Sequence, residues 1–458
     1  MSLNRLIQYF YPDLAKEERR KFILLGSMLF LIMGSYWLGR LLKNVIIWTI
    51  ALSPDLGWPK SSAESWQPIL KMLAPVVTLL FVMIYSSCLD RFKRYKLFRT
   101  LCAIYAIIFS AIALFLLLAQ TPLTAPYFYK PIPMFIMGTS SFLLIESFGA
   151  LVPVMFWAWV NTFTQETNAK KGYPLILMMA GLGATIGSSF LLTAPYLGTK
   201  QIWPLVTIPA LGLFGTIIVL NHYIKAMQIT EAAPPKMTTS GKGLLDSFVS
   251  GGRLILKHPY LIGTLFFSIL GQVVFPIFDY QINVVGKVLW PDPIGFAVMQ
   301  GRCGLGLNGV SFLLSLLGVS AILRRFKKIT VMLIYPVVMF GMLTLLLALC
   351  FVNLSHISQF LVLYGIIVAL KGLSYAVNNP VKELLWLPTS TQIKLKSKGW
   401  IDSFGVRTAK FGGAFINKFF SSAHSYGLGL VIVTLWGLAA IYTGRLNRKL
   451  KISNHKIN

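Results

Sequence analysis

The sequence predicts an all-helical protein that crosses a membrane about twelve times. Three observations carry that prediction. The 458 residues are 56% hydrophobic and only 12% charged, with a mean hydropathy of +0.70; an ordinary soluble domain carries about 25% charged residues. Apolar runs of 18 or more residues recur along the whole length, and lipid admits only helices or closed barrels, whose strands are far shorter. Lysine and arginine collect in alternate loops, as they do when a chain weaves back and forth.

Taken in order, the spans read as 22–50, 70–88, 98–118, 139–162, 172–195, 203–224, 259–285, 305–323, 330–352, 357–378, 399–420 and 424–443. The first is long enough to break or tilt near Lys43. The fifth contains Gly181, Gly183 and Gly187, which suit close helix packing. Gly301-Arg302-Cys303-Gly304-Leu305-Gly306 reads as a loop leading into the eighth. A connector with Lys394, Lys396 and Lys398 follows the tenth, and the eleventh opens a new helix with Asp402, Arg407 and Lys410.

The basic loops are the N-terminal segment (Arg5, Lys16, Arg19, Arg20, Lys21), 91–99, 170–171, 225–257, 324–328, 394–398 and the tail from Arg445. The intervening loops hold little beyond Lys60, Lys130, Lys200, Lys287 and Arg302. Both termini are therefore expected in the cytoplasm. The polar stretch 225–257, with Pro234-Pro235 and Ser240-Gly241, divides an N-terminal half, 1–224, from a C-terminal half, 258–458. Six spans on each side are major-facilitator-like, the layout of a transporter built from two pseudo-symmetric halves. Asp90-Arg91-Phe92-Lys93-Arg94 and Arg324-Arg325-Phe326-Lys327-Lys328 echo one another at equivalent places.

The formal charge is +28, which in a soluble chain would suggest nucleic acid. Here the basic residues lie mostly in loops and no soluble basic domain exists, so topology signalling and attraction to anionic lipid account for them. Cys88, Cys102, Cys303 and Cys350 are too scattered for a zinc motif or a disulfide framework. The five histidines, His258 and His356 among them, are likewise dispersed, so neither metal nor cofactor is expected. No GxxxxGK[ST] loop is present to support ATP hydrolysis. The N-terminus carries Asp13, Glu17 and Glu18 ahead of its apolar run, unlike a cleavable signal or a transit peptide. The chain is expected to work as a monomer in the bilayer, to bind no nucleic acid and to be no enzyme.

A lysine at a helix centre costs about 3 kcal/mol on insertion scales, so intramembrane charges point to function. Arg40 and Lys43 share a face of span one. Glu146 lies in span four and Asp279 in span seven. Lys371 lies in span ten, with Lys382 at its far end; eleven residues make about three helical turns, so these two also share a face. In a six-plus-six transporter, spans one, four, seven and ten line the central cavity. Basic groups on one and ten and acidic groups on four and seven suit a wet path for a polyanion. Each charge taken singly has a plainer reading, snorkelling to an interface or pairing within the packing. Trp157, Trp159 and Tyr375 could stack a base, although aromatics in such chains more often pack or anchor.

The stretch 371–410, KGLSYAVNNPVKELLWLPTSTQIKLKSKGWIDSFGVRTAK, gathers most of this chemistry. Its Pro380-Val381-Lys382-Glu383, Leu387-Pro388, Lys398-Gly399 and Ile401-Asp402 resemble the nucleotide transporters of the ATP/ADP translocase type. Lys43 in GRLLKN, Glu146-Ser147-Phe148-Gly149, Asp279 upstream of Leu289-Trp290-Pro291, Gly172-Tyr173-Pro174-Leu175 and Gly181-Leu182-Gly183-Ala184 resemble that family too. The resemblance covers nearly the whole chain, and it implies that Lys43, Glu146, Asp279 and Lys382 are important for transport. Three positions depart from the family pattern: Asn44 and Asn379 replace aspartates, and Asp279 replaces a glutamate. Each Asp-to-Asn change removes a negative charge and bears on affinity, counter-substrate or proton coupling.

The resemblance implies ATP binding and ATP/ADP-type exchange by alternating access. Lys43 and Lys382 would attract phosphates, and Arg40 and Lys371 would add positive charge. Glu146 and Asp279 would pair with those cations in the empty protein, which avoids bare charges in low dielectric. Asn44 and Asn379 complete the expected substrate-binding set. Proton-driven net import of nucleotides or a related phosphorylated anion, a membrane-embedded transferase and a non-transporting paralogue are the alternatives.

Overall fold

The computed structural model describes residues 16–89, 93–161, 163–164, 166–198, 202–227, 252–316, 328–386, 389, 397–398 and 400–455. Most of the 225–257 connector, the paired 90–92 and 324–327 motifs, Leu387-Pro388, Lys394, Lys396 and Gly399 lie outside the described residues. Among the described residues there are helices and turns and no strand.

The long helices are α1 (Lys16–Val45), carried on by a π-helical turn Ile46–Ala51; α2 (Ser62–Leu89); α3 (Arg94–Gln120); α4 (Pro131–Val160); α5 (Glu166–Ser189), carried on by a 3-10 segment Phe190–Leu197; α6 (Trp203–Ala226); α7 (Pro259–Leu289); α8 (Pro293–Leu316); α9 (Lys328–Leu349); α10 (His356–Leu373), carried on by a π-turn Ser374–Asn378 and a short helix Asn379–Leu385; α11 (Val406–Phe419), preceded by a π-turn Ile401–Gly405; and α12 (Ser422–His455). Each expected span meets one of them. Local chemistry sets several starts. Prolines open α4, α7 and α8, where a missing N–H costs nothing. The Asp292 carboxylate accepts from the Gly295 N–H at 2.6 Å before α8, and the Ser355 hydroxyl accepts from Ser358 N–H at 3.2 Å before α10, both acting as N-caps.

Ten of these helices are long and apolar enough to cross a membrane. Of the other two, α11 is only 14 residues long, and α8 carries Gln300, Arg302 and Asn308. On α8 that polarity finds partners, since the Asn308 amide donates to Ser188 Oγ at 2.9 Å, an interhelical bond of the kind that holds membrane bundles.

Span eight also corrects the sequence reading. Gly301–Gly306 is not a loop; it lies inside α8, which begins some twelve residues before the expected start. A Cβ on Gly301 would press on Leu191, and one on Gly304 would press on Leu41 and Ser188. These glycines permit close approach between helices, which offsets their roughly 1 kcal/mol helix penalty.

Two compact units can be distinguished. The first comprises Met1–Ala63, Val77–Met237 and Trp290–Phe312; the second comprises Glu64–Val76, Thr238–Leu289 and Leu313–Asn458. In the first, α1 packs against α4, α5 and α6. The α1–α5 contact is backbone to backbone: a Cβ on Gly183 would run into the Phe30 carbonyl, and one on Gly187 into the Gly34 carbonyl. The glycines of span five therefore pack as expected.

In the second unit α7 is the hub, against α10, α11 and α12. Trp436 Nε1 donates to the Phe267 carbonyl at 2.8 Å, and the Asn417 amide donates to the Pro276 carbonyl at 3.0 Å. Tyr260 Oη donates to the Leu385 carbonyl at 2.5 Å and accepts from the Asn447 amide at 2.7 Å. These bonds satisfy polar groups that would otherwise be costly in a dry core, although the Asn417 Oδ1 is left without a partner. Cys102, Cys303 and Cys350 are free thiols.

Candidate substrate-binding residues

In the first unit the charges sit where α1 gives way to its π-turn. Such turns insert an extra residue into the helix and concentrate at functional positions. Lys43 Nζ donates to Glu146 Oε1 on α4. The Lys43 side chain is 2% exposed and Glu146 is 32% exposed. The same ammonium lies 4.0 Å from the centroid of the Phe142 ring, one turn before Glu146 on α4. A fully desolvated ammonium needs an opposite charge, and the ring face adds about 1–2 kcal/mol of attraction. Lys43 is thus buried and paired rather than snorkelling.

Arg40, one turn earlier on α1, lies with its guanidinium 4.9 Å from the Trp37 ring and donates to Tyr36 Oη at 3.5 Å. The Asn44 amide donates to Gln300 Oε1 at 3.5 Å, and the buried Asn44 Oδ1 has no hydrogen-bond partner. Trp159 is buried and stacked on Phe98, and Trp157 packs edge-on against Tyr173, so both serve packing.

In the second unit Asp279 on α7 accepts from Lys71 Nζ at 2.5 Å, with the two side chains 29% and 14% exposed. The expected partners for Asp279 were Lys43, Lys382, Arg40 and Lys371, so its pairing with Lys71 is a correction. The signal was legible but misplaced. At the second residue of an expected span 70–88, Lys71 reads as an interfacial residue. Because α2 begins at Ser62, Lys71 lies nine residues in, about 13 Å along the helix.

Lys382 Nζ donates to the Ser268 carbonyl at 3.1 Å, and the Lys371 ammonium lies 4.3 Å from the Phe275 ring centroid. Both lysines therefore reach α7, even though the π-turn between them departs from the uniform helix on which their shared face was expected. Lys371 lines a cleft with Gln272, Phe275, Tyr335, Ser374 and Asn378. Asn378 is buried, with its Oδ1 unpartnered. Asn379 opens the next short helix and is exposed. Glu383, beside Lys382, accepts from Lys398 Nζ at 2.7 and 2.6 Å. Two distant pieces of the 371–410 motif thereby hold one another.

The sequence model of the TLC ATP/ADP transporter family matches residues 1–441. The chain is 22% identical to ADP,ATP carrier protein 4 of Rickettsia bellii over 91% of this chain and 86% of that one. It is 24% identical to ADP,ATP carrier protein 4 of Rickettsia typhi over 98% and 95%. Among solved structures it shares its fold with a point mutant of the nucleoside transporter NupG, at TM-score 0.60 and 13% identity over 93% of this chain and 99% of that one. The POT family transporter PepTSo matches at TM-score 0.63 and 14% identity over 94% and 98%. A multi-pass helical membrane protein with two carboxylate–lysine pairs inside its spans, this chain belongs to the TLC ATP/ADP transporter family.

Proposed function

We propose that the protein carries nucleotides across a membrane by alternating access, exchanging ATP-like for ADP-like anions. The observation that carries this reading is the Lys43–Glu146 pair: a fully buried ammonium held by a carboxylate that stays about one-third exposed. A pair built only for packing gains little over apolar residues. One that opens offers a dry, preset cation to an arriving phosphate. The names of the Rickettsia relatives, ADP,ATP carrier proteins, support the choice of substrate.

In this reading Lys43 with Arg40, and Lys382 with Lys371, receive phosphate oxygens, while Glu146 and Asp279 neutralise cations when no substrate is bound. Asn44 and Asn378 add uncharged amides with spare acceptor oxygens, and Asn379 follows Asn378 in the chain. The protein transports rather than catalyses. It works as a monomer in a cell's inner membrane with both termini cytoplasmic, built from halves 1–224 and 258–458 around the connector 225–257. The test is exchange in liposomes: Lys382→Ala slows labelled ATP uptake against internal ADP at least tenfold, and unchanged exchange rejects the role.

One observation favours a second reading, proton-driven net import. Glu146 and Asp279 are both partly exposed and both lysine-paired, so protonation of either would release its lysine. Uptake driven by a pH gradient into vesicles lacking internal nucleotide distinguishes it.

A further inference from the structure

Three lysines, one from α2 and two from α10 and its continuation, converge on α7. Lys382 meets it at Ser268, Lys371 at Phe275 and Lys71 at Asp279. The contact points are seven and four residues apart. At 3.6 residues per turn they fall within an arc of about 40°, on one face, and extend over about 16 Å of helix. Asp279 is the only carboxylate in the α7 sequence, and Asp402 acts electrostatically on Lys382 from outside it.

Lys71 is held firmly in register. The Glu64 carbonyl of α2 accepts from Tyr280 Oη at 3.1 Å, and the Ser65 carbonyl accepts from Lys418 Nζ at 3.2 Å. The start of α2 is thus tied down shortly before Lys71. Its ammonium is mostly buried, while its carboxylate partner is the more exposed member of the pair. An oxyanion approaching from the exposed side meets Asp279 first and competes with it for Lys71.

We propose that Lys71 is a further phosphate-binding residue, which together with Lys371, whose contact point lies about 6 Å away along α7, takes the polyphosphate of a nucleotide. The proposal rests on the transport reading above and adds a cation that none of the sequence motifs assigns. No covalent bond changes. A phosphate oxygen replaces the Asp279 carboxylate on Lys71, and the carboxylate turns to water or protonates until the substrate leaves.

The experiment is liposome exchange of labelled ATP with three variants: Lys71→Gln, Lys71→Arg and the double Lys71→Gln/Asp279→Asn. Inorganic tripolyphosphate serves as a competing probe. Removing a phosphate contact should raise the KM for ATP about tenfold and weaken tripolyphosphate inhibition by a similar factor. Lys71→Arg keeps the charge and should restore most of the tripolyphosphate inhibition lost in Lys71→Gln. The double variant removes the bare carboxylate and so guards against misfolding; its KM should remain raised. If the double variant returns to the wild-type KM, Lys71 only neutralises Asp279 and the proposal is overturned. Unaltered tripolyphosphate inhibition in Lys71→Gln overturns it as well. A wild-type protein that exchanges no nucleotide overturns the parent reading instead, and this one with it.

Discussion

The lysine–carboxylate pairs Lys43–Glu146 and Lys71–Asp279 use the same chemistry in different surroundings. Lys43–Glu146 has a cation sealed at 2% exposure, pressed on the Phe142 ring beside a π-turn. In Lys71–Asp279 the lysine retains 14% exposure. Stripped of its partner, Lys43 faces the full cost of a charge in low dielectric, whereas Lys71 is less completely enclosed. The first pair should therefore matter more for keeping the fold, and the second should open more readily to a competing anion.

The largest expected effect comes from breaking the first pair on its acidic side. Glu146→Ala leaves Lys43 buried without its counter-ion and should cost about 3–5 kcal/mol, read as a large drop in melting temperature in detergent. The double Lys43→Met/Glu146→Leu removes both charges and should recover most of that loss without recovering exchange. Asp279→Ala breaks a less completely buried pair and should lower the melting temperature by less than Glu146→Ala does. Equal losses at the two sites would erase the distinction drawn here.

A smaller effect tests whether the helix carrying Lys43 is positioned by its packing. Gly183→Val drives a branched side chain into the Phe30 carbonyl on α1. Overpacking of this kind costs about 1–3 kcal/mol, and exchange should fall with the melting temperature. The smallest effect concerns Asn44, whose Oδ1 is buried without a partner. Asn44→Asp places a negative charge next in sequence to Lys43 and should raise the KM for ATP by about threefold, since a nearby anion weakens the field on an incoming phosphate. A lowered KM would show that the aspartate is instead the better residue for binding.

The fold was largely legible because hydrocarbon enforces a simple rule: spans must be long, apolar and helical. The rule weakened where neighbouring helices shield polarity, and there the reading failed. Gly301–Gly306 looked like a loop because glycine is usually a breaker, yet α8 uses those glycines to approach Leu41, Ser188 and Leu191. The charged residues stood out individually, since each is costly in lipid. Their partners did not. Lys43 and Glu146 lie 103 residues apart, Lys71 and Asp279 208 apart, and no local pattern in the sequence specifies such pairings. Lys71 was missed because the expected span began at 70 while α2 begins at Ser62, which turned an internal charge into an interfacial one.

The central claim is that the intramembrane lysines receive nucleotide phosphates as substrate crosses, Lys43 and Lys71 by giving up their carboxylates. Counterflow of labelled ATP, ADP, GTP, UTP and NAD into liposomes preloaded with unlabelled nucleotide tests it most directly. The account predicts rapid uptake of ATP or ADP that requires internal nucleotide and is slowed at least tenfold in Lys382→Ala. Absence of nucleotide counterflow from a folded wild-type protein would contradict it.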